Sequence, residues 1–260
     1  MNRRTALYVL TGIVVLAKLN PIRGWGKSKK NKLSPVVHQD SDVLLDESGC
    51  FFMDGPFVMG TMRGRGLKTA ADKLRSLRTQ NRFWCNVGYT YGNKFKVNYA
   101  KRALDYILGN TALKLQIHVF QPGMTIRRGD PKIKFRQYIE QVARLTDSAA
   151  GAIKSPIRLI TQRRFRRKTQ AQAETQMRAR SKNIQKLTLV QESQSDLLQV
   201  LDLIVGSVYG AHSAGTNPRA RSKVGGSKVE LERYLASKLG VSSLKASKIA
   251  TKNIEISVVS

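Results

Sequence analysis

The stretch Leu113–Phe120 (LKLQIHVF) alternates strictly, with Leu113, Leu115, Ile117 and Val119 on one side and Lys114, Gln116, His118 and Phe120 on the other. Successive side chains of a strand point to opposite faces, so this segment reads as a strand with one buried side. Pro122 and Gly123 break it. Just before it, Val97–Leu108 (VNYAKRALDYIL) places Val97, Ala100, Leu104, Ile107 and Leu108 on one helical face. Gly109 and Asn110, which accept a left-handed backbone, end that helix. A half-buried strand fed by an amphipathic helix restricts the chain to layers of sheet and helix.

The same two periods recur along the sequence. Val43–Leu45 is a short apolar run that stops at Asp46, and Phe51–Met62 carries Asp54, Gly55 and Pro56 at a turn before a second apolar run. Two such runs around polar turns predict a β-hairpin. Helical spacing follows in Thr69–Thr79, through Ala70, Leu74 and Leu77, and again in Phe135–Leu145. Phe83–Tyr91, Ile157–Ile160, Leu187–Val190 and Ile254–Val259 read as strands or extended edges. Leu197–Tyr209 (LLQVLDLIVGSVY) is a mostly apolar helix that Ser193 or Ser195 can cap, and Val229–Leu239 is a charged amphipathic helix. No internal repeat is visible. Strands interleaved with helices predict an α/β or α+β sheet domain.

Charge decides the class of partner. The 46 Lys and Arg face 17 Asp and Glu, a net charge of +29. Such a field attracts polyanions, and nucleic acid leads because each phosphate contact releases condensed counterions. An anionic membrane surface is the weaker alternative. Cys50 and Cys85 have no ligand spacing around them, which argues against zinc and leaves a reducing compartment as the default. Arg3 and Arg4 precede an apolar run, Ala6–Ala17, that is short for a span of about 20 residues. It suits a signal-peptide core or a packed segment. The expectation is a cytoplasmic protein, with export or membrane association left open by that run. Residues 1–41 read as a basic N-terminal extension or targeting segment, 42–209 as the main domain, and 210–260 as a basic loop, a helix and a last strand.

Two motifs stand apart. VLLDESG (Val43–Gly49) is followed by PFVMGTM, and SDLLQVLDLIVGSVYG lies in the C-terminal third. Together they resemble a bacterial domain-of-unknown-function family, the one numbered three thousand eight hundred. Its signature pairs a first strand bearing DESG with a late helix bearing a Gln-x-x-Asp-Leu core. The matching residues are Asp46, Glu47, Ser48 and Gly49, then Gln199, Asp202 and Leu203. The resemblance spans roughly residues 42–207. It implies an α/β fold, a ribonuclease-H-like mixed sheet flanked by helices, here with basic extensions. It also implies a metal-dependent nuclease in which Asp46 and Asp202 hold Mg²⁺ or Mn²⁺, Glu47 assists, and Lys96 faces a phosphate. Hard cations take oxygen ligands, and paired metals stabilise the attacking and leaving oxygens of a phosphoryl displacement.

The chain departs from that pattern at the middle acids. Lys94-Phe95-Lys96 has the Lys of the family's Glu-x-Lys element and lacks the Glu, and the strand IRLI runs into Thr161 and Gln162 where an acid is expected. Two readings follow: a divergent nuclease using Asp72, Asp130 or Glu140 instead, or a non-catalytic nucleic-acid-binding protein on the same fold, a ribonucleoprotein component among its forms. The competing structural reading of Asp46 is a turn cap, since Asp-x-Ser-Gly is good turn chemistry. For Asp202 it is a place on the helix's solvent edge.

Residues 161–186 are strongly basic. Arg163, Arg164, Arg166, Arg167 and Lys168 surround Phe165, a set that can fork onto phosphates and stack on a base, or simply be solvated. Leu235–Ile249 resembles the turn of a helix-turn-helix, with Gly240 turning, Val241 buried and Ser242 capping a second helix; a closing element of the main domain is the plainer reading. His38, His118 and His212 show no ligand spacing, and Gly64-x-Gly66 lacks the setting of a phosphate loop.

Overall fold

Val43, Leu44 and Leu45 are apolar on both sides of the strand they form, so that strand has to be covered on both faces. The computed structural model describes residues 34–49, 55–81, 94–121, 131–151, 156–162, 167–213 and 226–259. It places this strand, β1 (Asp42–Gly49), third across a seven-stranded mixed sheet. The others are β2 (Phe57–Gly64), β3 (Leu113–Phe120), β4 (Ile157–Gln162), β5 (Ile184–Val190), β6 (Lys248–Ala250) and β7 (Ile254–Val259). Their order across the sheet is β5-β4-β1-β2-β3-β7-β6. β1, β2 and β3 form an antiparallel meander, β4 joins β1 and β5 joins β4 in parallel, and β7 runs parallel to β3. The expected hairpin, helices and strands over the described residues are all present. Phe83–Tyr91, the N-terminal apolar run and the first basic cluster lie outside them.

Helices cover both faces. On the first face lie α1 (Leu67–Gln80), α2 (Lys94–Gly109), α5 (Asp196–Ser213) and α6 (Gly226–Lys238), packed on Leu44, Val58, Met62, Ile117 and Ile160. On the second lie α3 (Pro131–Ala150) and α4 (Arg167–Arg180), packed on Val43, Leu45, Phe57, Met59 and Leu159. Strand alternation thus splits one apolar run between two cores. It also corrects the one-sided reading of β3, because Phe120 is buried in the second core beside Phe57, with ring centroids 5.9 Å apart.

The apolar character of α5 has a direct cause. Leu197, Leu198, Leu201, Leu203, Ile204, Val205 and Val208 are all buried, so the helix is a core element. Its Ser195 accepts the Leu198 N–H at 3.2 Å, which makes Ser195 the cap. α5 presses directly on β2 at Gly60, where an added Cβ would sit 2.5 Å from Val205 Cγ2. A turn further on, the Tyr209 ring lies against Gly49, at the end of β1.

The C-terminal segment closes the same sheet. Gly240 does turn with a left-handed φ of 70°. No second helix follows: Leu244 and Ile249 are buried in the first core, and Lys248–Ala250 is strand β6, paired antiparallel with β7. The helix-turn-helix reading is therefore corrected to a helix, a turn and an edge hairpin. Among the described residues no helix is long and apolar enough to cross a membrane.

Candidate functional site

Asp46 sits within the β1 ladder, paired with Gly60, and the strand continues through Gly49. It is not a turn cap, so the competing reading of this residue is corrected. It alternates with Leu44, so its side chain faces α5, and it is 0% exposed. Oδ1 accepts the Glu47 N–H at 2.8 Å, and Oδ2 accepts from the Gln162 side-chain amide at 3.3 Å. Gln162 ends β4, the parallel neighbour of β1. The residue standing where the resemblance implies an acid therefore donates a hydrogen bond to Asp46. Glu47 is half-buried, and the period of two sends it to the face opposite Asp46.

Asp202 lies on α5 between buried Leu201 and Leu203 and is itself half-exposed. Seven residues separate it from Tyr209, two helical turns, so both belong to one stripe. Tyr209 touches Gly49, and the stripe carrying Asp202 accordingly runs along β1. Gln199, the third motif residue, does something else. Its Oε1 accepts from Arg78 Nη2 while Arg78 Nε donates to Asp196, and the guanidinium lies 5.2 Å from the Tyr99 ring centroid. Gln199 thereby ties α1 and α2 to the start of α5. Burial pushes the Tyr99 hydroxyl up to about 12. Among the described residues, no group of three or more His, Cys, Asp and Glu gathers as a metal site.

No family model matches the chain, and no curated protein matches it. Among solved structures it is similar to a glutamine-to-alanine variant of Bst ribonuclease HIII, at 15% identity over 79% of this chain and 68% of that one, with a TM-score of 0.48. It is also similar to Bst ribonuclease HIII in complex with Mn²⁺, at 14% identity over 80% and 69%, with a TM-score of 0.43. Likeness at this level concerns fold alone, and no residue role passes from it to this chain. The expected α/β class, a mixed sheet flanked by helices, is the one observed.

The basic residues are only partly within view. Lys96 lies in the first turn of α2. Arg163, Arg164, Phe165 and Arg166 fall outside the described residues, and Arg167 and Lys168 open α4. The segment is thus helical from Arg167. Ala173 and Met177 pack α4 on the second core, and Arg178 pairs with Glu174 at 2.6 Å.

A second polar cluster, at the start of β1, carries no signal in the sequence. Asp42, also 0% exposed, accepts from Arg158 Nε at 2.8 Å and Nη2 at 2.7 Å and from the Gln39 N–H at 2.8 Å. His38 Nδ1 lies 3.6 Å from Asp42 Oδ2, and its Nε2 meets Ser195 Oγ at 3.1 Å. Burial would raise the Asp42 carboxyl, but the neighbouring His38 and the hydrogen bonds from Arg158 and Gln39 outweigh it and hold it below the ordinary carboxylate value. In outline this is a Ser–His–Asp array. His38 is only 3% exposed and Ser195 2%, so no substrate carbonyl reaches the hydroxyl, and Ser195 is occupied in capping α5. The cluster fastens residues 34–42 to β4 and α5, helped by Arg158 donating to the Val37 carbonyl at 2.8 Å.

Proposed function

We propose that this chain is a nucleic-acid-binding relative of the ribonuclease-H-like nucleases, a divergent member of the family its two motifs resemble, with Asp46 and Asp202 at the two ends of its acidic site. The supporting observation is a fully buried carboxylate, Asp46, set in an interior strand beneath a helix bearing Asp202, in a chain with a net charge of +29. The charge calls for a polyanion. Arg163, Arg164, Arg166, Arg167, Lys168 and Lys96 are the proposed phosphate contacts, and Phe165 the base-stacking residue.

Mg²⁺ or Mn²⁺ would need several oxygen ligands. The described donors do not complete such a site: Gln162 stands in place of an acid, and Glu47 points to the other face. The proposed substitutes do not supply it either. Asp72 is exposed on α1, paired with Lys68 and Arg75, Glu140 belongs to α3 on the second face, and Asp130 lies outside the described residues. Binding without a metal-dependent cut is therefore the favoured reading. Metal-dependent phosphodiester hydrolysis is the second, favoured by the costly burial of Asp46.

Cleavage and binding assays separate the two. Labelled single- and double-stranded DNA and RNA are incubated with the protein in Mg²⁺, Mn²⁺ or EDTA, beside Asp46→Asn and Asp202→Asn. The favoured reading expects binding in every condition and intact substrate. Metal-dependent cleavage that both substitutions abolish would replace it with the second reading. Absence of binding at low salt would remove both.

A further inference from the structure

The second face of the sheet is left uncovered toward its β3–β7 side. There Thr61 and Arg63 of β2, Lys114 and Gln116 of β3, Lys252 of the β6–β7 turn and Ser148 of α3 line a cavity of about 200 Å³. That is smaller than the ~300 Å³ at which sites for drug-sized ligands begin, so its occupant is a small group.

Its lining is rich in hydrogen-bond donors. Arg63 is half-buried, and no hydrogen bond or ion pair engages it among the described residues. Burial pushes its guanidinium below the usual value, with no carboxylate to offset the desolvation. An arginine stays charged in proteins, so the site keeps an uncompensated cation. Thr61 is 1% exposed, and its Oγ1 has no hydrogen-bond partner among the described residues. Lys114 Nζ gives one proton to the Lys252 carbonyl at 2.6 Å and keeps two. Ser148 Oγ accepts from Gln116 Nε2 at 2.8 Å, which leaves its own proton to donate. One acid, Glu255, also lines the cavity, and it pairs with Lys248 at 3.4 Å.

We propose that this cavity is an oxyanion site that takes a phosphoryl group, with Arg63, Lys114 and Lys252 supplying charge and Thr61 and Ser148 supplying hydroxyl donors. It lies on the face opposite Asp46 and does not depend on the function proposed above. Two sources share this chemistry: a phosphate monoester, free or at the end of a nucleotide chain, and a backbone phosphodiester.

The test uses the full chain. Inorganic phosphate is titrated against chloride at matched ionic strength and followed by phosphorus NMR line width, in wild type, Arg63→Gln, Thr61→Val, Lys252→Gln and, as a remote control, Lys68→Gln. Saturable binding is expected in wild type and in the control. It should weaken about tenfold or more in Arg63→Gln and severalfold in the other two. Competition by a short oligonucleotide with a 5′-phosphate, but not by the same oligonucleotide without it, identifies a monoester site; equal competition identifies the backbone. Lack of saturable binding in wild type, or equal binding in every variant, overturns the proposal. Should Arg63→Gln fail to fold by circular dichroism, the exposed Lys252→Gln decides alone.

Discussion

Replacing Gly60 by Ala tests how α5 sits over the strand pair that holds Asp46. Exchanging a glycine for alanine at a permitted backbone conformation normally stabilises by about 0.4–1 kcal/mol, through the unfolded chain. Here the added methyl would lie 2.5 Å from Val205 Cγ2, while its next neighbours, Ile117 and Leu201, stand at 3.4 and 3.5 Å. The single offending atom belongs to a β-branched side chain, stiff in a helix and fully buried, so it cannot swing aside. Helix or strand has to shift, at a cost of about 1–3 kcal/mol. At about 2–4 °C per kcal/mol for a domain of this size, the melting temperature should fall by roughly 2–12 °C. Val205→Ala in the same background removes the clash, so the two substitutions should couple favourably by at least about 1 kcal/mol in urea denaturation. If Gly60→Ala matches or exceeds wild-type stability, or the two costs simply add within about 0.5 kcal/mol, α5 does not press on Asp46's ladder partner and the site geometry is wrong.

Other consequences follow from single contacts. Arg158→Met leaves the buried Asp42 carboxylate without its bidentate partner and should cost about 3–5 kcal/mol by chemical denaturation. The Asp42 carboxyl is held below its ordinary value, so its contribution is present above the unfolded value and lost as pH falls through the folded one. Asp42→Asn should therefore flatten the acid side of the stability profile, below about pH 4, in melts taken across pH. Asn253→Ala removes a side-chain amide that donates to the carbonyls of Ile107, Leu108 and Asn110, at 3.3, 2.8 and 3.3 Å; a loss of about 1–3 kcal/mol is expected in the same assay. Nucleic-acid affinity should fall linearly on a log–log plot against salt, by about 0.9 per duplex phosphate neutralised, and a nearly flat plot would contradict an electrostatic interface.

Periodicity made the elements readable, and packing decided what each residue does. The alternation of β3 and the apolar length of α5 announced a sheet with helices, because those patterns follow from burial. Lys114, Gln116 and His118 gave no hint that Phe120, on their own face, would be buried: that depends on its packing beside Phe57 in the second core. Asp46 was legible as unusual, since an acid after an apolar run in a basic chain is costly. Its pairing with Gln162 was not, because parallel neighbours come together across more than a hundred residues. The His38–Asp42–Arg158 cluster was invisible for the same reason. Leu235–Ile249 misled because a Gly turn after a helix is shared by helix pairs and by helix–hairpin junctions.

The scarce acids show where the charge surplus acts. Asp196 binds Arg78 across α1 and α5, Asp42 binds Arg158 across β1 and β4, and Asp105 and Glu230 bind Lys238 and Lys101 across α2 and α6. Each joins elements far apart in sequence, so these four acids serve as ties within the fold. Even if every acid paired with a different cation, the net charge of +29 leaves at least that many Lys and Arg without a carboxylate. Their mutual repulsion works against the compact state. An anion that binds the folded chain relieves that repulsion and adds its binding free energy to stability, about 2.7 kcal/mol at a hundred times its dissociation constant. The proposed partner should accordingly raise the melting temperature at low salt, and screening should erase the gain as ionic strength rises.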